Sequence, residues 1–146
     1  MWSLYDYCDP PNRQGELPRN LIAEWTRSVL QVPQQAKLNV RLNAILTDTR
    51  NEAGDVGPPC FVSDPLKGKY RELHKIKIQG GPSGANTRLL VCRGPNDPRR
   101  EITLLFGARE LNRGWDPVDA LDRALGRLKR LRADSRRRIP HERVPR

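Results

Sequence analysis

Aromatic side chains make up 5% of these 146 residues, and hydrophobic residues as a whole only 36%. So small an apolar share supports one modest core and leaves part of the chain for loops and surface. No stretch approaches the roughly 20 consecutive apolar residues of a membrane-spanning helix, so no membrane partner is expected. The segment Met1 to Pro11 carries two Asp and no Lys or Arg. No apolar run follows it, so a secretory leader is not expected and the predicted compartment is the cytoplasm. Histidine is limited to His74 and His141, and cysteine to Cys8, Cys60 and Cys92. An odd number of widely spaced cysteines argues against a disulfide framework. Without a CxxC or His-rich spacing, no metal site is expected. Cys92 sits in an apolar run and reads as a small buried residue. No GxxxxGK[ST] loop or GxSxG elbow occurs, so neither a nucleotide cradle nor a hydrolase nucleophile is on offer, and no cofactor is expected.

What the chain does have is positive charge, +10 formally, and it is unevenly placed. Residues 123–146 hold ten Lys or Arg against Asp134 and Glu142, whereas the preceding 122 residues are close to balance. A basic end is the electrostatic footprint of a polyanion partner. A solubilising, disordered end gives the same pattern, and charge alone does not choose between them.

Trp2 to Tyr7 reads as a short first strand ended by Asp9-Pro10-Pro11. Pro18 suits a first helical turn, and Leu21, Ile22, Trp25 and Val29 recur at helical spacing. Val32-Pro33 breaks that helix, and a second begins near Gln34 with Leu38, Leu42, Ile45 and Leu46 on one face. Asn51 to Pro59 reads as a loop. Tyr70 to Ile78, Thr87 to Arg93 and Ile102 to Phe106 read as strands, separated by the turns Gly80-Gly81-Pro82-Ser83-Gly84 and Gly94-Pro95-Asn96-Asp97-Pro98. Connections this short favour an antiparallel meander. Asp116-Pro117-Val118-Asp119 opens a last helix with Leu121, Ala124, Leu125, Leu128 and Leu131 as its apolar stripe. The expected fold is therefore α+β: a small antiparallel-rich sheet with an N-terminal helical hairpin and a C-terminal helix. Residues 1–134 are expected to form one domain and 135–146 a basic C-terminal tail.

If Lys67 to Ile78 is a strand, period-two alternation puts Lys69, Arg71, Lys75 and Lys77 on one side with Leu73. Tyr70, Glu72, His74, Ile76 and Ile78 then take the other side. Four cations along one strand could hold an RNA backbone; a solvated edge strand, where Lys deters aggregation, looks the same in sequence. Arg88 and Arg93 flank the next apolar segment, and Arg109 follows the last strand. These groups converge if the strands are antiparallel neighbours, although Arg88 could simply pair with Glu72 or Glu101. Phosphodiester cleavage by a 2′-hydroxyl needs a base, cations for the developing charge and a proton for the leaving oxygen. His74, Tyr70 and the Lys/Arg cluster could supply those parts.

The run Lys69-Tyr70-Arg71-Glu72-Leu73-His74, then Thr87-Arg88-Leu89-Leu90-Val91, then Glu101-Ile102-Thr103-Leu104-Leu105-Phe106-Gly107 is similar to the core of RelE/HigB-type toxins of the RelE/ParE superfamily. Asp116 to Ala124 resembles the opening of that family's last helix. The resemblance covers roughly residues 66–131. It implies a RelE-like fold and a metal-independent mRNA endonuclease that acts at the ribosomal A site. It also implies neutralisation by a cognate antitoxin. Carried over by position, the implied catalytic residues are His74, Arg88 and Arg109. Lys67, Lys69, Arg71, Lys75, Lys77 and Arg93 are the expected RNA-binding set. The family's Lys-Lys turn is here Arg109-Glu110, His74 replaces an arginine, and the late catalytic tyrosine has no clear counterpart.

The leading expectation is the toxin of a type II toxin–antitoxin pair, cutting mRNA on the ribosome. Two alternatives stand beside it. One is a non-catalytic relative that binds nucleic acid or a protein such as gyrase. The other is a phage-derived or structural module whose basic end binds nucleic acid without chemistry.

Overall fold

Ser3–Asp9 forms the first strand, β1, and Arg19–Asn20 a two-residue partner, β2, antiparallel to its end. The computed structural model describes residues 1–78 and 86–142. Helix α1, Leu21–Val29, starts where Asn20 Oδ1 accepts the Ala23 amide at 2.8 Å, an N-cap that replaces the start expected at Pro18. Helix α2, Val32–Thr47, takes Pro33 into its first turn, where the missing N–H costs nothing. Pro33 thus opens the second helix as well as ending the first. Leu38, Leu42 and Ile45 of α2 and Ile22 of α1 are buried.

The strand expected from Tyr70 begins only at Leu73. Gly68–Tyr70 is a single 3₁₀ turn, and β3 is Leu73–Ile78. Strand β4, Asn86–Arg93, and β5, Glu101–Leu111, complete an antiparallel meander with β3. The expected Gly80 to Gly84 turn lies outside the described residues. Strand β5 is twice the expected length and runs on to pair with β6, Gly114–Asp116. Helix α3 is Ala120–Ala133. Beyond it, Arg138–Pro140 forms β7, antiparallel to β1. The segment expected to be a tail therefore begins with a 3₁₀ turn, Ser135–Arg137, and continues as a sheet strand; residues 143–146 lie outside the described residues.

These strands make one seven-stranded sheet with the path β2-β1-β5-β4-β3, and β6 and β7 added at β5 and β1. Strand β1 runs parallel to β5, Leu4 beside Ile102 and Asp6 beside Leu104. That corrects the expected small antiparallel-rich sheet: the class is α+β, but the sheet is larger and mixed. The chain leaves β1 through two helices before it builds the meander, and a helical crossover is how a chain brings two strands parallel. With the helical pair ahead of most of a mixed sheet, the arrangement is not a clear match to the RelE-like fold that the resemblance implied.

Strand parity separates the two faces. Helices α1 and α2 cover the face that carries Thr87, Leu89, Val91, Leu104 and Gly107. The Trp25 ring lies so close over Gly107 that a Cβ there would stand 1.9 Å from it, and Gln34 Nε2 donates to Thr87 at 3.3 Å. Helix α3 covers the other face and buries Ala120, Ala124, Leu128 and Leu131. A bulge between Leu90 and Val91 leaves Leu105 of β5 without a β4 partner. Its carbonyl accepts Arg127 Nη1 of α3 at 2.7 Å instead. Among the described residues no helix is long and apolar enough to cross a membrane.

Candidate active site

On the α3 face, period-two alternation places Lys75 and Lys77 of β3, Arg88 of β4, and Phe106, Ala108 and Glu110 of β5 together. Lys77 lies opposite Arg88, Arg88 opposite Ala108, and Trp115 of β6 opposite Glu110. Here the sheet gathers its ionic groups. Lys75 Nζ donates to both Glu110 oxygens at 2.9 Å, and Arg88 Nε donates to Oε1 at 2.9 Å. Arg88 is also braced by an Nη1 bond to the Thr87 carbonyl at 3.1 Å. The three side chains retain 20% (Lys75), 8% (Arg88) and 27% (Glu110) of their exposure. They are withdrawn from bulk water but not sealed. Burial acts most strongly on Glu110 and disfavours its charge, yet the hydrogen bonds from Lys75 and Arg88 outweigh it. Its pKa stays below the ordinary glutamate value, so it is a carboxylate at neutral pH.

The structure divides the sequence-derived catalytic set. Arg88 belongs to this cluster. His74 and Arg109 are on the opposite face of the sheet, with Val91 and Thr87 respectively. Along the strands those two lie about 13 Å apart, four β4 residues by strand rise. His74 is buried, and its Nδ1 donates to the Ser63 carbonyl at 2.7 Å. A carbonyl can only accept, so Nδ1 carries the proton. Desolvation lowers the pKa of His74, and the ring is neutral. Arg109 pairs loosely with Asp116 at 3.8 Å beside the α1–α2 layer.

The expected RNA-binding set divides too. Lys75 and Lys77 line the cluster's face. Lys67, Lys69 and Arg71 are outside any strand because the 3₁₀ turn interrupts the alternation. Lys69 contacts Asp122 of α3 at 3.3 Å, and Tyr70 donates its hydroxyl to the same carboxylate at 2.6 Å. Arg93 is on the His74 face, set over the Trp2 ring at 5.5 Å.

Sequence reasoning missed Glu110. It was visible only as an unexpected acid beside Arg109, where two lysines were expected. The signal available was parity: Glu110 shares a β5 face with Phe106, and that face meets Arg88 once the strands are paired. Cys92 is buried as expected, its thiol pushed up to about 12 by burial, and the three cysteines are free. Among the described residues no group of three or more His, Cys, Asp or Glu could hold a metal ion. Comparison with protein-family models, curated proteins and solved structures finds no match to this chain.

Proposed function

We propose that the chain is an endoribonuclease whose working groups are Glu110, Arg88, Lys75 and Lys77. The observation that carries the reading is a partly exposed carboxylate gripped by two cations on a sheet face that also presents Lys77, Phe106 and Trp115. Glu110, ionised at neutral pH, is the acceptor for the 2′-hydroxyl proton as the 2′-oxygen attacks the adjacent phosphorus. Arg88 and Lys75 are the donors assigned to the non-bridging oxygens as these gain charge, where charge-assisted hydrogen bonds are strongest. The P–O5′ bond breaks, a 2′,3′-cyclic phosphate forms, and the leaving oxygen takes a proton from the Lys77 ammonium opposite Arg88. The step uses no group beyond these side chains. His74 and Arg109, on the other face, have no part in it.

The finer reading keeps the substrate and partner that the family resemblance implied: mRNA engaged on the ribosome, and a co-expressed antitoxin protein that blocks the α3 face. The positive charge of the chain supports a polyanionic substrate. The test is cleavage of a defined RNA, with mapping of 5′ ends after induced expression. Glu110→Gln is expected to abolish cleavage while the protein stays folded; an active Glu110→Gln protein overturns the assignment. Cleavage of free RNA by the wild type supports the chemistry alone, whereas cleavage confined to translated mRNA supports the ribosome-dependent form.

A further inference from the structure

A second set of cations lies along α3, away from Glu110, and among the described residues two of its members, Arg127 and Arg130, form no ion pair. Arg127 is set into the seam between α3 and the sheet, its guanidinium 4.8 Å from the Phe106 ring centre and 5.1 Å from that of Tyr7. Among the described residues no carboxylate forms an ion pair with it. Among those residues its one hydrogen-bond partner is the Leu105 carbonyl. One turn earlier, Arg123 stands 5.9 Å from the Phe106 ring and pairs with Asp119 at 3.0 Å. Three residues later, Arg130 donates to the Tyr7 hydroxyl at 3.2 Å and forms no ion pair among the described residues. Arg137 continues the line, held by Asp9 at 3.2 Å. Asp9 and Asp119 are thus the acids that face this rail. Desolvation lowers the pKa of Arg127, and a withdrawn cation without a counter-charge is a costly arrangement that an external anion would relieve.

Positions 123, 127 and 130 share one flank of the helix, with rungs about 6 and about 4.5 Å apart by helical rise. The rail starts at Phe106, which lies on the same face of β5 as Glu110 and four residues before it. Basic side chains that track the phosphates hold single-stranded nucleic acid independently of sequence; the Phe106 and Tyr7 rings beneath Arg127 steady its guanidinium and are not stacking platforms, Tyr7 being only 1% exposed. We propose that Arg123, Arg127 and Arg130 form a track for the backbone of single-stranded RNA on one side of the cleavage site. This rests on the ribonuclease reading, because the track's purpose is to hold the strand that Glu110 cuts.

The experiment compares affinities of the full chain for 2′-O-methyl RNA of three and of twelve nucleotides, which the proposed chemistry cannot cleave. Wild type is read against R123Q/R130Q, which leaves the half-buried Arg127 in place; circular dichroism confirms that the variant is folded. The wild-type protein is expected to prefer the twelve-mer. The double variant is expected to lose about tenfold in twelve-mer affinity near physiological salt, and its slope of log affinity against log salt to fall by about 1.4, the value for two single-strand phosphate contacts. If affinity and slope for the twelve-mer do not change, the track is overturned, and cleavage of unmodified RNA decides separately whether the Glu110 assignment survives. If the wild type instead binds a poly-glutamate peptide as tightly as the twelve-mer, and R123Q/R130Q weakens both equally, the rail serves an acidic protein and the proposal fails.

Discussion

Arg88 donates its Nε to Glu110 across the β4–β5 ladder, on the opposite face of the sheet from His74. One bond therefore separates the strand arginine from the histidine that sequence had joined to it, and ties it to an acid that sequence had passed over. With Lys75 on the same carboxylate, the three groups form a coupled unit that single substitutions will not describe additively.

That coupling is measurable as stability. Arg88→Ala leaves Glu110 partly withdrawn from water with Lys75 as its one remaining cation, at a cost of about 2 kcal/mol, less than for a fully buried pair. Arg88→Ala/Glu110→Ala is expected to cost less than the sum of its two single substitutions. Urea denaturation of the four proteins in the cycle gives the coupling, and an additive result would show that the pair is not a structural unit.

The cluster also fixes a pH dependence. Glu110 has a folded pKa below its unfolded one, so the stability it contributes is present above the unfolded value and is lost as pH falls through the folded value. For cleavage the same sign places the acidic limb of kcat/KM below the ordinary glutamate pKa of about 4.3. Lys75→Met removes a donor that holds the carboxylate ionised, so the limb should move to higher pH. A limb that stays where it was, measured on a dinucleotide substrate, rules out Glu110 as the titrating base.

His74 makes a separate contribution on the other face. Desolvation depresses its folded pKa, so protonation favours the unfolded chain. Its stabilisation is full above the unfolded pKa of about 6.5 and declines as pH falls through the lower folded value. His74→Gln keeps a donor for the Ser63 carbonyl and has nothing to titrate. Thermal melts from pH 7.5 to 5 should therefore show a shallower loss of Tm in the variant; parallel curves would contradict the buried neutral ring.

Gly107 is a packing constraint of another kind. A Cβ there would meet the Trp25 ring at 1.9 Å, and β5 and α1 cannot both stay in place. Gly107→Ala is expected to destabilise the fold by about 1–3 kcal/mol, the range for overpacking. Trp25→Leu in the Gly107→Ala background should recover part of that loss in chemical denaturation.

The end of the described chain is structural. Arg138 pairs with Glu101 at 3.1 Å, stacks 3.8 Å from the Tyr5 ring centre, and has a side chain only 9% exposed. Just beyond β7, His141 contacts Asp6 at 2.7 Å. Ending the chain after Arg137 removes these partners and bares the outer edge of β1. The expected cost is about 3 kcal/mol or more, since Glu101 and Asp6 would be left with fewer donors. A truncated protein as stable as the full chain would mean that β7 is only laid against the sheet.

The sequence by itself determined the local events. The apolar stripe of α3, the pair α1 and α2, and the three central strands follow from periodicity and turn residues, which act over a few neighbours. Their ends were displaced where a nearby group competed, as when Asn20 capped α1 in place of a start at Pro18, or when the 3₁₀ turn at Gly68–Tyr70 delayed β3 to Leu73. Only the tertiary structure decided the sheet order, the parallel pairing of β1 with β5 and the recruitment of Arg138–Pro140 as a strand. Those pairings join residues far apart in the chain and leave no mark in local pattern. The site followed the same division: Arg88, Lys75 and Lys77 stood out as cations in sequence, but whether an arginine meets a histidine or a glutamate depends on strand parity and register. A shift of one residue turns a side chain to the other face, and that is why Glu110, not His74, stands beside Arg88.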